Sequence, residues 1–169
     1  PFVSLRQGLP ELLLTGEATY LDTVDAARRS LGPVELVVDI SKRSVMIYGS
    51  TCTLPDGQLA MLMVFIRRAI NGEQPIYAPS KGLPDRDWGG AFLDELRFIV
   101  GPLGDIDSTE RALRSGMEGE YFSTTLSRLR TLLKKRLHNS MAGEIIHDGG
   151  CRPKYYSLAI RPEAITIKT

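Results

Sequence analysis

The chain has 169 residues, of which 43% are apolar and 24% are charged, a composition typical of a globular protein with a buried core. Its net charge is only +1, so no excess over the whole chain indicates a nucleic acid, a membrane surface or an acidic partner. The longest apolar run, residues 59–66, is far shorter than the roughly 20 apolar residues of a membrane span, and no transmembrane segment is expected.

The chain offers few candidate metal ligands. Cys52 and Cys151 stand 99 positions apart and form no metal-binding spacing, and two histidines, His138 and His147, are too few for a zinc site. We therefore expect neither a metal nor another cofactor. Because no secretory signal opens the chain, we expect a cytoplasmic protein with reduced thiols.

The first 32 residues show apolar side chains at helical spacing, namely Leu9, Leu12, Leu13, Leu21, Val24 and Ala27. Gly32-Pro33 ends this pattern. We predict a helical linker over residues 1–32 and a second domain over residues 33–169. Since the chain begins with Pro1 rather than methionine, the linker is expected to follow an N-terminal part outside this chain.

The second domain opens with strand signals. Residues 35–40, 44–48 and 51–54 predict three short antiparallel strands separated by turns. A helix is expected from Pro55-Asp56, since proline fits a first turn and an early carboxylate suits the positive end of the helix dipole. Its predicted apolar face comprises Leu59, Leu62, Met63, Ile66 and Ile70. Prolines and glycines in residues 71–87 predict an exposed loop.

Three further helices and a hairpin follow. Asp87 can cap a helix with Trp88, Phe92, Leu96 and Ile99 on one face, and Asp107 and Glu110 have the spacing of a capping box for a short helix that stops near Gly116. A longer helix over about residues 121–139 is expected to bury Phe122, Leu126, Leu129, Leu133 and Leu137. Residues 144–147 and 155–160 predict a hairpin around Asp148-Gly149-Gly150. These elements predict an α+β fold.

Positive charge is concentrated in the last helix and the hairpin. Between Tyr121 and Lys154 there are seven basic and two acidic residues, a local balance of +5 that leaves −4 for the rest of the chain. With Leu129 turned inward, 100° per residue places hydroxyls and cations on one outward face, composed of Thr124, Ser127, Arg128, Thr131, Lys134, Lys135 and His138, with Arg130 at its border. Such a face suits the DNA major groove, although a solvated face with cations near a helix C-terminus has the same pattern.

The order of elements favours DNA binding over a helix face that is merely solvated. The basic helix follows another helix across a glycine-bearing turn and precedes a hairpin that carries Arg152 and Lys154, which is the order of a winged helix-turn-helix. The predicted nucleic-acid-binding residues are Thr124, Ser127, Arg128, Arg130, Thr131, Lys134, Lys135, Arg152 and Lys154. The expected partner is duplex DNA.

One family resemblance rests on this region. The run Ser127-Arg128-Leu129-Arg130 in a long helix, followed by a glycine-containing hairpin with Tyr155, resembles the winged-helix effector domain of two-component response regulators, over roughly residues 34–160. The resemblance implies that this helix is the recognition helix. A longer insertion between Asn71 and Asp107 leaves open whether the helix from Trp88 or the one from Ser108 is the first of the pair.

A second resemblance covers the entire chain. Its motifs are Pro1-Phe2-Val3-Ser4-Leu5-Arg6, Leu12-Leu13, Asp25-Ala26-Ala27, Val37-Val38-Asp39 and Leu54-Pro55-Asp56-Gly57-Gln58-Leu59-Ala60. They are similar to the C-terminal half of a CRISPR-associated ring-nuclease family. Its members carry an N-terminal CARF domain, a Rossmann-like fold that binds cyclic oligoadenylate, so the resemblance implies a regulatory role in antiviral defence.

Three functions remain open at this stage. The first is a duplex-DNA-binding or regulatory winged-helix module, and the second is a protein-interaction or homodimerisation module that has lost DNA binding. The third, cleavage of cyclic oligoadenylate, would belong to a CARF domain outside this chain. No catalytic site is expected here, because nucleophile, phosphate-loop and metal-binding motifs are lacking and Asp85-Arg86-Asp87 suits helix capping.

The two cysteines provide a first test. We expect Cys52 and Cys151 not to be bonded to each other, because cytosolic thiols stay reduced. Mass spectrometry under non-reducing conditions should give the mass of the fully reduced chain. A mass lower by two hydrogens would contradict this expectation.

Overall fold

A computed structural model describes residues 35–47, 49–137, 145–151 and 154–169, and within them the chain forms four α-helices and two β-sheets. The elements in chain order are β1 (Leu36–Asp39), β2 (Ser44–Ile47), β3 (Ser50–Thr53), α1 (Asp56–Ile70), β4 (Ile76–Tyr77), α2 (Arg86–Val100), α3 (Asp107–Ala112), α4 (Gly119–Arg136), β5 (Ile146–Gly149), β6 (Tyr155–Leu158), a 3-10 helix (Pro162–Ala164) and β7 (Ile165–Lys168). The fold is α+β, as predicted. The helical linker predicted over residues 1–32 lies outside the described residues.

The first sheet has the strand order β3-β2-β1-β7. Strands β1, β2 and β3 are antiparallel neighbours, as predicted, and Val38 of β1 lies opposite Val45 of β2. Alternate side chains of β1 and β2 are buried, which is the pattern of a sheet with one face on the core. Strand β7 pairs in parallel with β1, and Leu36 lies opposite Ile165. Strand β7 was not predicted, because a parallel pair is not joined by a hairpin turn that would mark it in the sequence.

Helix α1 is the most deeply buried element. Pro55 occupies its N-cap, and every residue from Leu59 to Ile66 is buried, because α1 packs against α2, α4, β6 and the 3-10 helix. A helix that is buried on several sides is apolar over most of its circumference, so the predicted single stripe was too narrow. Ile70 was wrongly assigned to the buried face. It is 46% exposed, because it is the last residue of the helix and the burial ends at Ala69.

Helix α2 begins two residues earlier than the predicted cap implies. The carboxylate of Asp85, not that of Asp87, accepts a hydrogen bond from the Trp88 backbone N–H at 3.0 Å, and Asp87 lies inside the first turn. Asp85 therefore has the capping role that the sequence suggested for this acidic run. The predicted buried face of α2 is confirmed, since Trp88, Phe92, Leu96 and Ile99 are all buried.

The short helix α3 lacks the predicted capping box. Its N-cap is Ile106, and the backbone N–H of Asp107 donates to the Asp105 carboxylate. Glu110 instead accepts two hydrogen bonds from the Arg97 guanidinium on α2. Helix α3 buries none of its residues, so it lies on the surface of α2 rather than in the core.

A tight backbone crossing fixes where α4 begins. Asp85 and Met117 exchange both backbone hydrogen bonds, at 2.9 and 2.7 Å, in front of α2. Gly116 has a φ of +116°, and a Cβ there would lie 2.7 Å from the Asp85 carbonyl carbon. Gly116 was predicted to stop a helix, but α3 ends at Ala112 and the glycine is required for this crossing.

The second sheet has the order β4-β6-β5 and is antiparallel throughout. The predicted hairpin is confirmed as β5 and β6, with Asp148 opposite Tyr156. Strand β4 lies within the stretch predicted as a loop, and its two residues pair with β6. The Gln74 side-chain carbonyl accepts a hydrogen bond from the Leu158 N–H at 2.8 Å and fixes the sheet further. So short a strand between prolines gives no periodicity in the sequence.

Two expectations from composition can be compared with this fold. No helix in the described ranges is long and apolar enough to cross a lipid bilayer. Cys52 is buried in β3 and Cys151 is exposed, and both are free thiols in this structure. Burial raises the pKa of the Cys52 thiol, which keeps it protonated at neutral pH.

The burial of α4 gives a stability prediction. Leu129 is fully buried, whereas Thr131, two residues on, is exposed. We expect Leu129→Ala to lower the free energy of unfolding by about 2–5 kcal/mol because it leaves a cavity, and Thr131→Ala to change it by less than about 0.5 kcal/mol. Urea melts of both variants measure this difference. Equal losses would mean that α4 is rotated relative to the described packing.

Candidate nucleic-acid interface

An aromatic cluster holds α4 in one orientation. Phe122 of α4 has its ring centroid 4.8 Å from that of Trp88 on α2 and 5.2 Å from that of Tyr156 on β6. Phe65 of α1 completes the cluster, 5.8 Å from Trp88 and 6.3 Å from Tyr156. The Trp88 indole N–H also donates to the Tyr77 carbonyl at 2.8 Å. Three helices and the second sheet are therefore tied together at Phe122.

This orientation divides α4 into two faces. The inward face buries Phe122, Thr125, Leu126, Leu129 and Leu133, which agrees with the predicted apolar stripe. The outward side chains among the predicted binding residues are all exposed, and they are Thr124, Ser127, Arg128, Thr131, Lys134 and Lys135. We call these six residues the α4 face. His138 and Arg152, which were predicted to extend it, lie outside the described residues.

Arg130 does not belong to the α4 face. Its Nη2 donates to the backbone carbonyl of Ile146 on β5 and lies 3.3 Å from the Asp148 carboxylate. The guanidinium carbon is 5.7 Å from the centroid of the Tyr156 ring, and only 25% of the side chain is exposed. Arg130 therefore joins α4 to the hairpin, and its predicted contact with DNA stays a prediction for a side chain that already has partners within the fold.

Lys154 is engaged by the same carboxylate. Its ammonium nitrogen lies 3.0 Å from Asp148 Oδ2 and 5.9 Å from the centroid of the Tyr156 ring. The hydrogen bond from Lys154, with the nearby charge of Arg130, holds the pKa of Asp148 below its usual value. The Asp148 hydrogen bond in turn raises the pKa of Lys154. Both groups are therefore charged at neutral pH, and the ion pair persists there.

Two more polar side chains of α4 have partners within the protein. The Arg136 guanidinium donates to the backbone carbonyl and to the hydroxyl of Thr53, which connects the end of α4 to β3. The Thr131 hydroxyl donates to the Ser127 carbonyl at 2.9 Å, so its proton is used within the helix. Thr131 can then act toward a ligand only as an acceptor.

Three cations remain available on the α4 face. Arg128, Lys134 and Lys135 are exposed, and no ion pair between described residues engages them. The local balance of +5 thus overstates the charge that a ligand would meet, because three of the seven basic residues are paired inside the fold. This pairing could not be predicted from the sequence, since the partners of those residues come from β3 and β5.

A groove opens beside Arg128. It has a volume of about 410 Å³ and runs between the start of α1, α2 and the first half of α4, where Tyr121, Thr124 and Arg128 line it. Burial raises the pKa of Tyr121, so its phenol is a neutral donor at neutral pH. Glu118 and Glu120 also line the groove and disfavour an anionic ligand there. In the described ranges, no cluster of His, Cys, Asp and Glu could hold a metal ion.

Comparison of the chain with protein-family models, with curated proteins and with solved structures found no match.

The link through Arg130 can be tested by mutation. We expect Arg130→Ala to lower the free energy of unfolding by about 1–3 kcal/mol, because it leaves the carbonyl of the buried Ile146 without its side-chain donor and removes one of the two cations paired with Asp148. Arg128→Ala removes the same charge from an exposed position of the same helix and should change stability by less than about 0.5 kcal/mol. Urea melts measure both variants. If the two lose the same amount, Arg130 does not hold the hairpin.

Proposed function

We propose that residues 35–169 form a winged helix-turn-helix module that binds duplex DNA through the α4 face. The observation that carries the proposal is that the basic residues of α4 and the hairpin fall into two groups, one bound within the fold and one exposed. Arg130, Arg136 and Lys154 are bound within the fold, whereas Arg128, Lys134 and Lys135 are left exposed beside hydroxyl groups on one side of a long helix. Free cations and hydroxyls are the groups that contact phosphates and base edges.

The order of elements supports a winged helix. Helices α1, α2 and α4 share the aromatic cluster, the β5–β6 hairpin follows α4, and β4, which lies between α1 and α2, pairs with that hairpin. Helix α4 packs against α1, and of the two candidate first helices α2 reaches it through Trp88 with Phe122 and Phe92 with Tyr121, whereas α3 buries no residue. Between α2 and α3, this favours α2 as the partner of α4, with α3 as an insertion in the connection.

The dimensions of α4 suit this role. Its 18 residues extend for about 27 Å, and a helix of ordinary diameter fits the major groove of B-DNA. Ser127 and Arg128 lie near its middle, where base edges are within reach, and Lys134 and Lys135 lie near its C-terminal end, where they suit backbone phosphates. With three free cations, the binding is expected to be weak and to show little sequence preference.

A regulatory role is part of the proposal. The resemblance to the CRISPR-associated ring-nuclease family supports a module whose DNA binding responds to cyclic oligoadenylate held by a CARF domain. A protein-interaction module is the alternative, and it predicts association that tolerates salt.

The proposal predicts a specific dependence on salt. Each lost phosphate contact lowers the slope of log affinity against log salt concentration by about 0.9. The combined change Arg128→Gln, Lys134→Gln and Lys135→Gln in the full chain should therefore flatten the slope by about 2–3 units. Fluorescence anisotropy with a labelled duplex of about 20 base pairs, titrated at several KCl concentrations, measures the slope.

A matched control removes the same charge from another surface. Lys42→Gln, Arg161→Gln and Lys168→Gln alter exposed cations in and around the first sheet and should leave the slope within about half a unit of the unmodified value. The DNA proposal fails if the unmodified chain does not bind at low salt, or if both triple variants flatten the slope equally. Salt-tolerant oligomers, measured by sedimentation, would then favour the interaction module.

A further inference from the structure

Asp148 is the common partner of two cations from different elements. Its two carboxylate oxygens are divided between them, with Oδ1 3.3 Å from Arg130 Nη2 on α4 and Oδ2 3.0 Å from Lys154 Nζ beside β6. The Tyr156 ring lies beneath both cations. The Asp148 side chain is 39% exposed, so the carboxylate occupies an anion site that opens to solvent.

This anion site is continuous with the α4 face. Arg130 and Lys134 are four residues apart, and Arg130 and Ser127 are three apart, so these side chains are neighbours on the helix surface. A DNA strand that contacts Lys134 would pass next to Asp148. The Asp148 carboxylate is ionised at neutral pH, so it neutralises part of the positive charge that Arg130 and Lys154 would otherwise offer to that strand.

We propose that Arg130 and Lys154 form a second phosphate site of this module and that the Asp148 carboxylate occupies it as an internal competitor. A backbone phosphate offers the same pair of anionic oxygens to a guanidinium and an ammonium as a carboxylate does. Asp148 makes Lys154 unavailable to a phosphate, since Lys154 is 51% exposed and has no other ion pair among the described residues. Arg130 keeps its place through the Ile146 carbonyl.

Asp148 is expected to weaken DNA binding and not to abolish it. Ion pairs between partly exposed groups are weak, so removal of Asp148 should raise DNA affinity severalfold rather than by many orders of magnitude. Its removal also frees one further cation for a phosphate, which makes the salt dependence steeper by about 0.9. These two effects together distinguish a released contact from a general change in charge.

The inference rests on the proposed DNA binding, and its test separates the two. The full chain, Asp148→Asn, Lys154→Gln and the double variant are compared with a 20-base-pair duplex by anisotropy at several KCl concentrations. We expect Asp148→Asn to bind about three- to tenfold more tightly at low salt, with a slope steeper by about 0.9, and the double variant to lose both gains. Glu163→Gln removes the same charge near β7 and should change the affinity less than twofold.

Two results would overturn the inference while DNA binding stands. One is an affinity and slope of Asp148→Asn equal to those of Glu163→Gln, while the α4 triple variant still loses binding. The other needs only the single variant Lys154→Gln, which should change the slope by less than about half a unit; a loss of about 0.9 would show that Lys154 already contacts phosphate. If no protein binds at low salt, the proposed function itself fails.

Discussion

The contact between Phe122 and Trp88 constrains the rest of the structure. Both rings are buried, and each belongs to a helix whose other residues must then face fixed directions, because a helix that is anchored at one large side chain cannot rotate about its axis. Tyr156 of β6 packs against the same Phe122 ring, so this side chain also holds the hairpin in position. The packing of the core thus decides which side of α4 faces solvent. Polar residues then need only occupy the exposed positions of the helix.

The exposed positions of α4 could be predicted from the sequence, because helical periodicity is a local property. Leu126, Leu129 and Leu133 recur at helical spacing, and a rotation that buries them exposes Arg128 and Lys134 without any knowledge of the remaining fold. The hairpin and the three N-terminal strands were equally accessible, since each has its turn next to its strands. What could be found in this way was the helices, the hairpin, the first three strands and the α4 face.

The remaining features depend on residues that are distant in the sequence. Strand β7 pairs with β1 across almost the whole described chain, and β4 exists only because β6 lies beside it. Arg136 contributes to the local balance of +5, but its partner Thr53 is 83 positions earlier. No periodicity marks such pairs, because each residue alone is compatible with solvent. A count of charges along a segment therefore sets an upper bound on what a ligand can meet.

The paired cations also connect stability with function. Arg130 holds the hairpin to α4 through the Ile146 carbonyl, and this bond does not require Asp148. Lys154 contributes to the fold only through an ion pair that is partly exposed, and pairs of that kind stabilise proteins little. The hairpin could therefore release Lys154 to a phosphate with little loss of folding free energy, whereas release of Arg130 would leave a carbonyl unpaired. Of the two cations that pair with Asp148, the fold depends on Arg130, whereas Lys154 can leave its ion pair and bind a phosphate.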